Sequence, residues 1–211
     1  NSKMTDHKHI ESLCIPTDEK PLRILTSACL IGTPCGFEGK SYGDYPSVLK
    51  LLNYKNVKLI TFCPEDFSFE TLREMCDIHG GDGMDVLDGK ARVLTESGID
   101  WTVGMIKAAE RMVQVARDQK AELCLMMDVS AACGSQVIYE GNRLVEDPSH
   151  QIGMGVCAAL LHRNGFKVIS QRDFAALEKL YAKVDPDHKI DQEAKDHLQH
   201  PWVINHFGPN P

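Results

Sequence analysis

Four short apolar runs constrain what this chain can fold into more than any other feature. They are Arg23-Ile24-Leu25-Thr26-Ser27-Ala28, Val57-Lys58-Leu59-Ile60-Thr61-Phe62, Leu123-Cys124-Leu125-Met126-Met127 and Phe166-Lys167-Val168-Ile169-Ser170. Runs of this length, bounded by turn residues, read as buried strands. Segments with apolar residues at helical spacing lie around them, at 45–53, 101–117, 153–163 and 174–182. The clearest is 101–117, where Met105, Ala108, Ala109, Met112, Val115 and Ala116 form one stripe and Lys107, Glu110 and Arg111 fall off it. Strands alternating with helices predict an α/β, Rossmann-like fold, a mostly parallel sheet with helices on both faces. A short helix is expected over 71–78, and a turn or hairpin over 86–94 around Asp88-Gly89. The expected division is a polar leader at 1–20, the α/β domain at 21–183 and a His- and Pro-rich C-terminal extension at 184–211.

Composition narrows the function classes. A net charge of −7 argues against a nucleic-acid binder that works through a broad basic face. No apolar run is long enough to span a membrane, and residues 1–20 carry no signal-peptide core, so a cytoplasmic location is expected. In that reducing compartment the eight cysteines are expected to be core residues, metal ligands or nucleophiles rather than disulfides.

Parallel sheets place ligands beyond the carboxyl ends of their strands. The first run ends at Cys29, the second at Cys63-Pro64-Glu65 and the third at Ser130 and Cys133, so residues far apart in sequence meet at one edge. Cys29 and Cys35 flank a Gly/Pro loop, and Cys133 follows small residues and precedes Gly134. Small neighbours let backbone amides approach the sulfurs of a cluster. Three thiolates can hold a metal centre, but three ordinary loop cysteines have the same spacing, which does not choose between the two. Cys63 is either a fourth ligand, which would close the site, or a packed strand-end residue, which would leave a position open. Glu65 at a strand end suits an acid or base, or the first turn of a helix. Ser130 suits a donor to a ligand, or a turn cap. Cys124 and Cys157 sit in apolar patterns and read as core; Cys76 reads as structural or, with its neighbour His79, as a metal ligand. Asp82, Asp85, Asp88, Lys90 and Arg92 fit either a pocket lining or turn chemistry. His7, His9, His197, His200 and His206 lie in polar termini and are expected to be solvated.

Taken in order, these segments resemble a known family. Ser27-Ala28-Cys29-Leu30-Ile31-Gly32-Thr33-Pro34-Cys35 is similar to the opening motif of the thiouracil desulfidase (TudS-like) family, and Cys63-Pro64-Glu65 to its second. Asp88-Gly89-Lys90-Ala91-Arg92-Val93 and Ser130-Ala131-Ala132-Cys133-Gly134 resemble its third and fourth, and 163–170 its closing strand. The resemblance implies a [4Fe–4S] cluster held by Cys29, Cys35 and Cys133, with an open iron that takes sulfur from a thiolated pyrimidine. It implies Glu65 and Ser130 as the catalytic pair and a small thiolated base or nucleoside as the substrate. The chain departs from the pattern at Ala131 and Ala132, at 36–39 and over 67–83, all flanking the expected pocket. A non-catalytic sulfide-trafficking or redox-sensing iron–sulfur protein, or a structural zinc domain using Cys63, is the rival expectation.

Overall fold

The computed structural model describes residues 2–32, 45–70 and 72–211. Cys35 therefore lies outside the described residues. In chain order the elements are α1 (Ser2–Glu11), β1 (Leu22–Ser27), α2 (Pro46–Leu49), β2 (Val57–Phe62), α3 (Pro64–Phe69), β3 (Cys76–His79), α4 (Gly83–Leu87) and β4 (Arg92–Thr95). There follow α5 (Thr102–Asp118), β5 (Leu123–Met126), β6 (Val137–Glu140), β7 (Ser149–Ile152), α6 (Val156–Arg163), β8 (Val168–Ser170), α7 (Phe174–Val184) and α8 (Pro201–Phe207).

The four apolar runs become one four-stranded sheet, ordered β2-β1-β5-β8, and its three neighbouring pairs are all parallel. Alternation along each strand feeds two cores. Leu25, Cys124, Met126 and Val168 point to the face covered by α5 and α6. Leu22, Ile24, Leu123, Leu125 and Ile169 point to the face covered by α2, α7 and the end of α1. Each such aliphatic side chain, fully buried, contributes roughly 1.5–3 kcal/mol. The fold is the α/β, Rossmann-like arrangement expected, with helices on both faces.

One local expectation is corrected and another is narrowed. The segment expected as a helix over 71–78 holds β3, which pairs antiparallel with β4 from Cys76↔Thr95 to His79↔Arg92. Of the turn or hairpin expected over 86–94, the turn is present at Asp88-Gly89, but it joins the end of α4 to β4 rather than two strands. Asp82 and Asp85 form a reciprocal capping box that starts α4, so the acids there serve a helix. The hairpin of β6 and β7 had no clear alternation in sequence, and its residues run from buried to exposed. Residues beyond α7 pack on the domain: Leu198 and Val203 are buried with Val137. Among the described residues, no helix is long and apolar enough to cross a membrane.

Candidate functional site

The carboxyl edge of the sheet is assembled strand by strand. Beyond β1 the chain enters a 3-10 turn, Ala28–Ile31, that buries Cys29 and ends at Gly32 with φ +87°, a conformation suited to glycine. The neighbouring strand is tied to it, because the Met127 N–H donates to Ser27 Oγ at 3.1 Å and Cys29 Sγ lies 3.2 Å from Met127 Sδ.

Beyond β5 the loop that buries Cys133 is held on every side. Ser130 Oγ accepts the N–H groups of Ala132 at 3.2 Å and Cys133 at 3.1 Å, so the hydroxyl caps the turn. The carbonyls of Ala131, Ala132 and Gly134 accept from the N–H groups of Val156, Cys157 and Gly155 at 2.7–2.9 Å. The loop thus satisfies donors that the first turn of α6 would leave open. This contact needs small residues. A Cβ on Gly155 would lie 2.6 Å from the Ala132 backbone, and one on Gly134 would lie 2.7 Å from the Ser130 carbonyl oxygen.

On the other flank stands Asp128, whose Oδ1 accepts the amides of Val129, Ser135, Gln136 and Val137 at 3.0–3.2 Å. Its Oδ2 meets His197 Nδ1 at 2.6 Å. Burial raises the Asp128 pKa, but the His197 hydrogen bond and field, helped by the amides, bring it below the ordinary carboxylate value. Val129 sits at φ +61°, a strain on the order of 1–3 kcal/mol for a β-branched residue, which the surrounding bonds hold in place.

Beyond β2, Cys63 caps α3 by accepting the Asp66 amide at 3.4 Å, and Glu65 falls in the first turn. Ser68 Oγ donates to the Gly104 carbonyl at 2.6 Å and Phe69 stacks on Trp101 at 4.0 Å, which fixes α3 on α5. Glu65 Oε2 is 3.8 Å from Cys76 Sγ and 3.9 Å from Arg73 Nε, whose side chain is only 4% exposed. Burial pushes the Cys157 thiol well up, and the charges of Cys133, Glu65, Cys63 and Cys76 add to it. Cys76, Cys133 and Cys157 share one buried core cluster, and Glu65 reaches it at Cys76.

The remaining candidates fall elsewhere. Asp88 pairs with Arg163 at 2.9 Å and Arg92 with Asp100 at 3.5 Å, both at exposed positions, so surface and turn chemistry accounts for them. Burial alone pushes the Cys124 thiol up to about 12, as suits a core residue. His197, expected to be solvated, is 5% exposed and bonded to Asp128, which corrects that reading. Its burial had no signal in a polar tail. Asp128 had a weak one, a lone acid at a strand's carboxyl end. Arg73 had none. A cavity of about 910 Å³ opens between α7 and the C-terminal segment, lined by Tyr45, Arg172, Phe174, Lys195 and Trp202 among others. Tyr45, in the cavity wall, packs against the core cluster that contains Cys29.

Among the described residues, no group of three His, Cys, Asp or Glu side chains is arranged to hold a metal ion. Cys29 and Cys133 are two such donors, in the segments that follow the adjacent strands β1 and β5, and the third candidate, Cys35, lies outside the described residues. Two buried thiols, a neighbouring thioether and a loop of small residues are a donor set suited to a soft, sulfur-rich centre.

Fold and site together define an α/β protein with thiols and a carboxylate gathered at the carboxyl edge of a parallel sheet. Its similarities point the same way. The model of the 2-thiouracil desulfurase family matches residues 24–173. The uncharacterized protein YbbK of Bacillus subtilis (strain 168) is 36% identical over 151 residues, covering 71% of this chain and 96% of YbbK. A solved structure of the [4Fe-4S]-dependent thiouracil desulfidase TudS (DUF523Vcz) superposes with a TM-score of 0.55 at 28% identity, covering 71% of this chain and 90% of that one. The chain belongs to the 2-thiouracil desulfurase family.

Proposed function

We propose that this chain is an iron–sulfur-dependent desulfidase that hydrolyses the C=S group of a thiolated pyrimidine, base or nucleoside, to C=O. The observation that carries the reading is that the segments after β1, β2 and β5 bring Cys29, Glu65 and Cys133 to the same carboxyl edge of the parallel sheet. Family membership and the solved relative's cofactor support a [4Fe–4S] cluster here. Cys29, Cys35 and Cys133 would hold it. When bound, it supplies an iron not ligated by cysteine, a Lewis acid for the soft thiocarbonyl sulfur. Cys63 caps α3 through the Asp66 amide, and the reading leaves it off the metal.

The chain's own groups account for the rest of the chemistry. Overall, water supplies the ring oxygen and sulfur leaves as sulfide. Glu65 takes the proton from that water and returns it to a ring nitrogen or to the departing sulfur. Two amides occupy the acceptor side of Ser130 Oγ, so its O–H is left to donate toward the substrate. Arg73 beside Glu65 keeps the carboxyl from standing alone in a half-buried site. Such a cluster suits a reducing compartment.

Anaerobic reconstitution with iron and sulfide quantification, followed by assay on 2-thiouracil, tests this. Expected are about four irons per chain, brown colour and turnover. Glu65→Gln should keep the iron and lose roughly 10²- to 10⁴-fold in turnover. Full activity in that variant would remove Glu65 from the mechanism. Sulfide capture without turnover by the wild type would make the protein a sulfur carrier, and a colourless zinc protein would overturn the reading.

A further inference from the structure

The C-terminal segment reaches the cysteine edge through one buried pair. His197 lies outside the residues 24–173 that the family model matches. It is 5% exposed, and its Nδ1 stands 2.6 Å from Asp128 Oδ2. Asp128 Oδ1 gathers four amides from both arms of the loop that carries Ser130 and Cys133. The segment is itself pinned. The His197 N–H donates to Asp173 Oδ1 at 3.1 Å, and Asp173 Oδ2 accepts from Gln136 Nε2 at 2.7 Å and from the Ser170 amide at 3.2 Å. Next to it, Asp196 accepts the Ala176 amide at 3.0 Å and meets His7 Nε2 at 2.5 Å. The segment therefore touches α7, the N-terminal helix and the loop after β8, and through His197 it presents a side-chain donor to Asp128.

We infer that His197 is a positioning residue for the Cys133 loop, acting through Asp128 to fix the loop's backbone from a segment beyond the family-matched residues. A buried carboxylate gathers amides in fixed directions only while its own charge is matched. His197 supplies the match from the side opposite the loop. Without it, Asp128 turns toward other donors, and the strained Val129 and the capped turn at Ser130 relax. That this loop serves a cluster rests on the function proposed above; that His197 holds the loop does not.

The test uses the full chain with His197→Ala, His197→Asn and His197→Gln. The Asn amide nitrogen falls where imidazole Nδ1 sits, whereas the Gln nitrogen falls nearer Nε2. Hydrogen exchange of the iron-free protein is read at the amides of Val129, Ser135, Gln136 and Val137. In the Ala and Gln variants these should exchange about tenfold faster, with the β5 amides unchanged, and Asn should restore them. After anaerobic reconstitution, the Ala and Gln variants should lose visible absorption to an iron chelator several-fold faster than the wild type or Asn. If Ala fails to fold, the Asn–Gln pair decides. Exchange at the four amides that is the same in Asn, Gln and wild type would overturn the inference. Faster exchange confined to these amides in the Ala and Gln variants, together with a wild type that binds no iron, would uphold the positioning role and remove the cluster reading.

Discussion

The Cys133 loop rests on two supports built from opposite materials. Toward α6 the contact is backbone on backbone, made possible because Gly134, Gly155, Ala131 and Ala132 carry little or no side chain. Toward the C-terminal segment it is a buried charge, with Asp128 holding four amides and facing His197. The first support is steric and indifferent to pH. The second is electrostatic and depends on protonation. A loop that must keep one cysteine in register thus has a rigid side and a titratable side, and each should fail in its own way.

The largest effect is expected from removing the charge. Asp128→Ala leaves four amides and a buried imidazole without their acceptor, and stability should fall by about 3–5 kcal/mol in urea unfolding. Gly155→Ala attacks the other side. Its Cβ would meet Ala132 backbone atoms at 2.6 Å, with no flexible side chain to yield, so a loss of about 2–3 kcal/mol is expected. A Gly155→Ala protein as stable as the wild type would show that the α6 contact is not tight and collapse the distinction between the two supports.

The sheet was legible in the sequence because its strands are continuous apolar runs, and three of the four end in chemistry-bearing residues. The site was legible in part for the same reason: strand ends bring Cys29, Cys133 and Glu65 to one edge without any knowledge of the loops. What could not be read were features whose signal lies in partners. His197 looks like any histidine in a polar tail until Asp128 is placed against it. Arg73 carries no signal of its own in the sequence, yet it lies beside Glu65 with a buried side chain. The helix expected over 71–78 failed because β3 owes its form to pairing with β4 rather than to its own pattern.

Acid should separate the two supports next. The Asp128 pKa is depressed in the folded protein, so its contribution is fully present above the ordinary carboxylate value and is lost as pH falls through the folded one. The wild type should therefore lose stability below the ordinary carboxylate range. His197→Ala, its pair already broken, should lose less over that interval, and Gly155→Ala as much as the wild type. Stability curves measured by denaturant at several pH values check this, and parallel curves for all three proteins would show that the pair does not carry the acid sensitivity.

The smallest change in stability, and the most telling one for function, belongs to Ser130, which lies between the two supports. Ser130→Ala removes one acceptor shared by two amides in a half-buried turn, a cap-like loss of about 1 kcal/mol. If the hydroxyl only caps, iron content and turnover should follow that small loss. If its O–H also donates to the substrate, turnover should drop well beyond what the stability change explains, with iron content unchanged. The expected result is the second. Its check is turnover per cluster rather than per chain, because that ratio is blind to a turn that has merely loosened.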